Sequence, residues 1–200
     1  MYMADALEHL FKILSHPDFL SMKGLTGEVP IFIHTYDPHD EDAVRRMVGS
    51  LVSRLREHGV SLSIVDLFEL FISHLEEEGR LERIIEKEKS LSKQKLLETL
   101  NNLADPKERL IPRLVQQIND DSIKLTLLTG VGRVFPFLRT HTILESLQPA
   151  MMRHPVVMFF PGQYTQEDGI GSQLRLFGAV ANPPMYRPYY RAYNLEHYRL

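Results

Sequence analysis

Apolar positions recur along the chain with two different periods, and the period decides each element. Between Asp5 and Leu14, the residues Ala6, Leu7, Leu10, Phe11 and Leu14 share one face of a helix. Ser15-His16-Pro17-Asp18 then breaks it. Val29-Pro30-Ile31-Phe32-Ile33-His34 is apolar on both faces, which predicts a short strand in the middle of a sheet. After the Asp37-Pro38 turn, Ala43, Val44, Met47, Val48, Leu51, Val52 and Leu55 recur at roughly 3.6-residue spacing, predicting a helix over 40–58. Acids open this helix, Arg54 and Arg56 lie near its end, and Gly59 stops it. Val60 to Leu67 reads as the next strand.

A strand–helix–strand unit of this kind builds parallel sheets with right-handed crossovers. The pattern resumes late in the chain, with a strand over 123–128, a helix over 138–147 and a buried strand over 156–160. Leu174-Arg175-Leu176-Phe177 and Tyr190-Arg191-Ala192-Tyr193 read as an antiparallel pair at one edge. Between the halves lies a helical insert over about 68–119, where Asp105-Pro106 has the form of an N-cap followed by proline at the first helical position. Its stretch Glu76-Glu77-Glu78-Gly79-Arg80-Leu81-Glu82-Arg83 mixes charges as a solvated helix face does, with a binding surface as the alternative. No repeat, low-complexity tract or flexible linker interrupts the chain. The reading is a single α/β domain over 1–200: a mostly parallel sheet flanked by helices, Rossmann-like or P-loop-like without a Walker A loop, with the insert and a C-terminal edge hairpin.

Composition narrows the functional classes. At 200 residues, 44% hydrophobic and 24% charged, the chain is neither a disordered tail nor a fibrous repeat, and it can bury a core. The net charge of -3 excludes a globally basic nucleic-acid coat but leaves room for a local patch. The lack of cysteine excludes disulfides, thiolate metal sites and a cysteine nucleophile. Acids stand in Met1–His9 where a secretory leader has a basic stretch, and no apolar run approaches the ~20 residues of a membrane span. The expectation is a cytoplasmic protein without a membrane partner.

In a parallel sheet, ligands bind outside the carboxyl ends of the strands. Three predicted ends carry polar residues: His34-Thr35-Tyr36-Asp37, Thr129-Gly130-Val131-Gly132-Arg133 and Pro161-Gly162-Gln163-Tyr164. The first has neither the glycines nor the lysine of a phosphate loop. Thr129, Gly130, Gly132 and Arg133 lack the third glycine of a dinucleotide fingerprint, and read either as a tight turn or as an anion-binding loop with Arg133 as phosphate ligand. His34, Asp37, His39 and Asp40 are capable metal ligands in a spacing that matches no template, so no metal or cofactor is expected. No G-x-S-x-G elbow is present. His141 and Glu145 stand four residues apart on a predicted helix, as a surface hydrogen bond or an acid/base pair would. Tyr186-Arg187-Pro188-Tyr189-Tyr190-Arg191-Ala192-Tyr193 alternates aromatic and basic residues, which suits an edge strand, a protein interface or stacked single-stranded nucleic acid.

Four segments together resemble a known family. They are Gly130-Val131-Gly132-Arg133-Val134-Phe135-Pro136-Phe137-Leu138-Arg139-Thr140-His141, His154-Pro155-Val156-Val157-Met158-Phe159-Phe160-Pro161-Gly162-Gln163-Tyr164, Leu174-Arg175-Leu176-Phe177-Gly178 and Tyr189-Tyr190-Arg191-Ala192-Tyr193. The chain resembles the BrxB family of the BREX bacteriophage-exclusion systems. The resemblance implies a small cytoplasmic component of a prokaryotic defence system that methylates the host chromosome and blocks replication of unmodified phage DNA. It further implies association with the PglZ-type component, with the large ATPase or methyltransferase reached indirectly, and it carries over no catalytic residues. A non-catalytic assembly subunit is the resulting expectation, with any contact to DNA indirect. Arg133, Arg139, Tyr164, Tyr189, Tyr190 and Arg191 are its candidate contact residues, since Tyr and Arg dominate interface hot spots. The alternative is a degenerate nucleotide-, phosphate- or nucleic-acid-binding domain in the same complex.

Overall fold

Alternation along the strands decides how the layers are arranged. The computed structural model describes residues 3–25, 29–147, 153–167, 171–178, 193–195 and 198. The first strand, β1 (Ile31–Tyr36), is buried from Ile31 through His34 and is flanked on both sides, as its two apolar faces require. The others are β2 (Leu62–Asp66), β3 (Leu125–Thr129), β4 (Val156–Glu167), β5 (Gly171–Leu176) and β6 (Tyr193–Asn194). The sheet order is β2-β3-β4-β1-β6, every pair in that row being parallel.

Residues of opposite parity feed two cores. Ile31, Ile33, Val65, Leu128, Val156, Met158 and Phe160 face α4 (Leu67–Glu77), α7 (Ile111–Ile118) and α8 (Thr140–Leu147). Phe32, Leu62, Leu125, Leu127, Val157 and Phe159 face α1 (Met3–Leu14), the short α2 (Pro17–Leu20) and α3 (Glu41–Glu57). The right-handed crossover rule explains the split. The chain leaves β1 through α3 and travels to the far edge at β2, then returns through β3 to β4. A reversal of direction puts the return helices on the opposite face.

The long β2–β3 crossover is the predicted helical insert. It contains α4, α5 (Leu81–Glu88), α6 (Lys93–Ala104), one π-helical turn (Pro106–Leu110) and α7. Only Ala104 is buried in α5 and α6, so this part lies on the outside of the layer. Asp105 stands just before Pro106, which opens the π-helical turn as the predicted first-position proline does. It ends α6 with φ +27, and its carbonyl accepts from the amide of Arg109.

The predicted C-terminal edge hairpin is corrected in its partners. Leu174–Leu176 belongs to β5, which pairs antiparallel with the upper half of β4 from Gly162↔Leu176 to Glu167↔Gly171. Tyr193 instead lies parallel to β1, opposite Phe32, while Tyr190, Arg191 and Ala192 lie outside the described residues. Pro161-Gly162, a turn signal in sequence, sits inside β4. The glycine is needed there for close approach: a Cβ at Gly162 would stand 2.1 Å from the carbonyl oxygen of Arg175.

Leu51 sits at the centre of the α1–α3 core and is fully buried. Leu51→Ala is expected to lower stability by about 2–5 kcal/mol, read as the shift in urea midpoint at unchanged slope.

Candidate functional site

The parallel register delivers three strand ends to one rim, with Asp66 level with Thr129 and Tyr36 level with Pro161. Asp66 organises it. The residue is the last of β2, in extended conformation, and the chain turns into α4 immediately after it. Its Oδ1 accepts from the amides of Phe68 at 3.0 Å and Glu69 at 3.1 Å, which caps the orphan donors of α4. Its Oδ2 accepts from the hydroxyl of Thr129 at 3.1 Å and from the guanidinium of Arg133. Arg133 also reaches Glu69, Nη1 to Oε1 at 3.5 Å, and lies over the ring of Phe68 at 5.3 Å.

The glycine between Thr129 and Arg133 makes this packing possible. Gly130 has φ +77, and a Cβ there would stand 2.6 Å from Asp66 Oδ1. Its carbonyl accepts from the amide of Arg133 at 3.1 Å, closing the turn that swings the guanidinium back to β2. Thr129, Gly130 and Arg133 therefore meet, as the sequence suggests, around a carboxylate of the chain itself.

Tyr36 enters from β1. Its hydroxyl donates to Glu41 Oε2 at 2.5 Å, and burial, followed by that carboxylate, pushes the phenol above its usual range. Arg133 and Asp66 both act electrostatically on the same hydroxyl, which ties the β1 end to the β2–β3 cluster. Two residues earlier, His34 is buried edge-on against Phe159, with ring centroids 5.3 Å apart. Burial, with the charge of His9 adding to it, lowers its pKa from 6.5 to about 4. Asp37 instead faces outward, accepting from the backbone amide of His39 at 2.9 Å and meeting its ring Nδ1 at 2.7 Å. These contacts hold the Asp37 carboxyl below the ordinary range. His34 thus lies inside the protein while Asp37 and His39 engage each other outside it. Among the described residues no group of three or more His, Asp or Glu is placed to hold a metal ion.

The β4–β5 hairpin stands beside this cluster. The amide of Phe177 donates to the carbonyl of Pro161 at 2.9 Å, and a Cβ at Gly132 would lie 3.0 Å from the Pro161 ring and 3.2 Å from Phe177. The Phe177 ring meets Phe135 edge-on at 6.0 Å and stays 40% exposed. Gln163 is exposed and Tyr164 half-buried on the hairpin; Arg139 is exposed, and its carbonyl receives the first amides of α8. Tyr189, Tyr190 and Arg191 lie outside the described residues. As site residues, sequence reasoning passed over Asp66, Glu69 and Phe177, and it read Glu41 as one of the acids that open the helix. For the first two a signal existed: Asp66-Leu67-Phe68-Glu69 has the spacing of a capping box at a strand–helix junction.

Comparison with known proteins follows the whole layout. The family model described as "BREX protein BrxB" matches residues 63–195. A "BREX protein BrxB" of Bacillus cereus (strain H3081.97) is 32% identical over 195 residues, 96% of each chain. Another, of Escherichia coli O9:H4 (strain HS), is 26% identical over 147 residues, covering 74% of this chain and 72% of its own. No solved structure matches.

Two outcomes are expected from this geometry. Gly130→Ala places a methyl group against Asp66 on left-handed backbone, and should cost about 1–3 kcal/mol by urea unfolding. In an Asp66→Ala background the same change should cost less, because the clashing oxygen is gone; strict additivity would show that the two residues do not meet. The second concerns acid. His34 stays neutral in the fold while the unfolded chain protonates it near 6.5, so stability is complete above that pH and is lost as pH falls toward about 4. The loss should reach about 3 kcal/mol, and His34→Leu should flatten the pH dependence.

Proposed function

The chain belongs to the BrxB family of BREX components, and on that footing we propose that it is a non-catalytic assembly subunit of an anti-phage defence complex, docking to the PglZ-type component. One observation supports this over a ligand-binding reading: the groups at the rim that could hold an anion are already satisfied within the chain. The Asp66 carboxylate occupies the α4 N-terminus, and Arg133 is spent on Asp66 and Glu69. An incoming phosphate would displace a carboxylate that is bound by two amides, a hydroxyl and a guanidinium. The rim then presents the exposed Phe177, Gln163 and Arg139 as protein-contact groups, together with Tyr164. Its place is in the cytoplasm with the rest of the system, and no described helix is long and apolar enough to cross a membrane.

Affinity purification of the tagged chain from cells carrying the complete defence cluster tests the proposal. The PglZ-type component should be recovered in equal amount with and without nuclease treatment. Recovery of the chain alone would sink the proposal. So would a thermal shift with nucleotide or short DNA that Arg133→Ala abolishes, which would install the ligand-binding reading in its place.

A further inference from the structure

The helices α5 and α6 are held to the molecule less firmly than the elements on either side of them. Leu81, Ile84, Leu97, Leu100 and Leu103 rest half-buried on the α4–α8 core, and within the two helices only Ala104 is fully covered. A segment with so little buried apolar surface opens at a smaller cost than the sheet beneath it. Both of its ends are joints. Gly79, after α4, has φ +64, and Asp105, after α6, has φ +27, a left-handed value that a side chain tolerates poorly. A Cβ at Gly79 would meet nothing within 4 Å, so this glycine is there for the backbone turn and not for close packing.

Ion pairs clasp the base of this arm. Glu78, beside the first joint, accepts from Arg109, just past the second, with Nη1 2.9 Å from each carboxylate oxygen. Arg80 Nε meets Glu78 Oε2 at 3.0 Å, and Arg113 of α7 reaches Glu77 at 2.6 Å. His74 lies one turn before Glu78 on α4. It is 2% exposed, and neither ring nitrogen has a hydrogen-bond partner among the described residues. Its Nε2 stands 3.7 Å from Glu78 Oε1, the oxygen that Arg109 also holds. That distance is too long for a hydrogen bond from the neutral ring. An imidazolium carries an N–H at both nitrogens, and Oε1 is the acceptor beside it.

The charged groups acting on this ring are Glu78 and Glu77 of its own helix, Arg113 of α7 and Arg109 of the π-helical turn. Arg80 meets it through Glu78, Asp66 of β2 caps the opposite end of α4, and Glu82, Arg83 and Glu108 are exposed. Burial lowers the affinity of the ring for a proton, Glu78 opposes that effect, and Arg113 and Arg109 add to it.

We infer that α5 and α6 swing out as one arm about Gly79 and Asp105, and that a proton taken up by His74 releases them by drawing Glu78 from Arg109. Closed, the buried ring stays neutral; opened, it meets water away from Arg109 and binds a proton more readily. Opening is therefore favoured as pH falls below 6.5, the ordinary value of the ring, by up to about tenfold per pH unit. Above that pH the ion pairs hold the clasp, and salt weakens them because they are half-exposed. Opening uncovers the half-buried leucines and Ile84 along the inner side of the arm.

Hydrogen exchange of the full chain, read by mass spectrometry from about pH 7.5 to about pH 5.5 and corrected for the intrinsic pH dependence of exchange, tests this. Wild type is compared with His74→Leu and Arg109→Gln, and thermal melts establish that each is folded. Leucine in place of a buried ring without hydrogen bonds costs little. In wild type, protection over 80–105 should lie below that of β3 and β4 and fall alike in α5 and α6, up to about tenfold per pH unit below 6.5. His74→Leu should abolish that fall in the arm, while a fall remains in the sheet because His34 is untouched. Arg109→Gln should lower protection of the arm about threefold or more at the higher pH, with the sheet unchanged. Arm protection equal to that of β3 and β4 at every pH would show that the arm opens only with the whole protein, and would overturn the inference. A pH response of the arm that survives His74→Leu would overturn the release by His74.

Discussion

A parallel sheet concentrates unsatisfied groups at one end, because strands finish and helices begin there together. In this protein the Asp66 carboxylate resolves that concentration: it takes two helix amides, a hydroxyl from the neighbouring strand and a guanidinium from the loop beyond it. Without it the part-buried amide, hydroxyl and guanidinium among those groups would be less well satisfied, at a cost of up to about 1–3 kcal/mol apiece. The same oxygens fix the ends of β2 and β3 in register and bring Arg133 over Phe68. Gly130 is the condition for all of it, since no other residue leaves room for the carboxylate.

The chemistry of the rim follows from that closure. Many α/β proteins keep the helix N-terminus and an arginine open for a phosphate. Here the chain supplies its own anion, and the neighbouring phenol of Tyr36 is likewise committed to Glu41. The β4–β5 hairpin adds to this by laying Phe177 against Gly132 and Phe135 above the end of β3. What remains accessible includes the ring of Phe177, the amide of Gln163 and the guanidinium of Arg139, and such surface is suited to contact with protein.

The helices and the parallel strands were legible because their burial is complete on one or both faces. The apolar set of α3 and the unbroken run Ile31–His34 have a single consistent reading, and the structure follows it within two residues. The β4–β5 pairing was not legible, since Pro161-Gly162 has the local signature of a turn. What keeps it extended is pairing with β5, Gly162 lying opposite Leu176 fourteen residues away and close against the Arg175 carbonyl. Asp66 was read as the tail of a strand because apolar residues stand on both sides of it. Its role depends on Thr129 and Arg133, more than sixty residues later, and a non-local partner leaves no mark on local spacing. Thr129, Gly130, Gly132 and Arg133 were found by the opposite route, since two closely spaced glycines before an arginine are a local signal. Their counter-ion was beyond reach.

The two faces of the sheet use charge differently, and this bears on where another protein can sit. On the α4–α8 side, Glu77 and Glu78 reach across to Arg80, Arg109 and Arg113, tying α4 to the segment entering α7. Those pairs are half-exposed and each is worth little alone, but together they neutralise the face and fix the geometry of a long crossover. On the α1–α3 side Arg54 is treated this way, held by Glu8 and stacked over Phe11, and Lys23 is held by Asp18. The other arginines of α3 lie on its outer side, where α1 cannot reach them. On α3 itself Arg45, Arg46 and Arg56 are matched by Glu41, Asp42 and Glu57, so the outer side of this helix carries mixed charge rather than a surplus of either sign. A helix anchored by six buried side chains loses little conformational freedom when its outer side is contacted, whatever the charge of what contacts it.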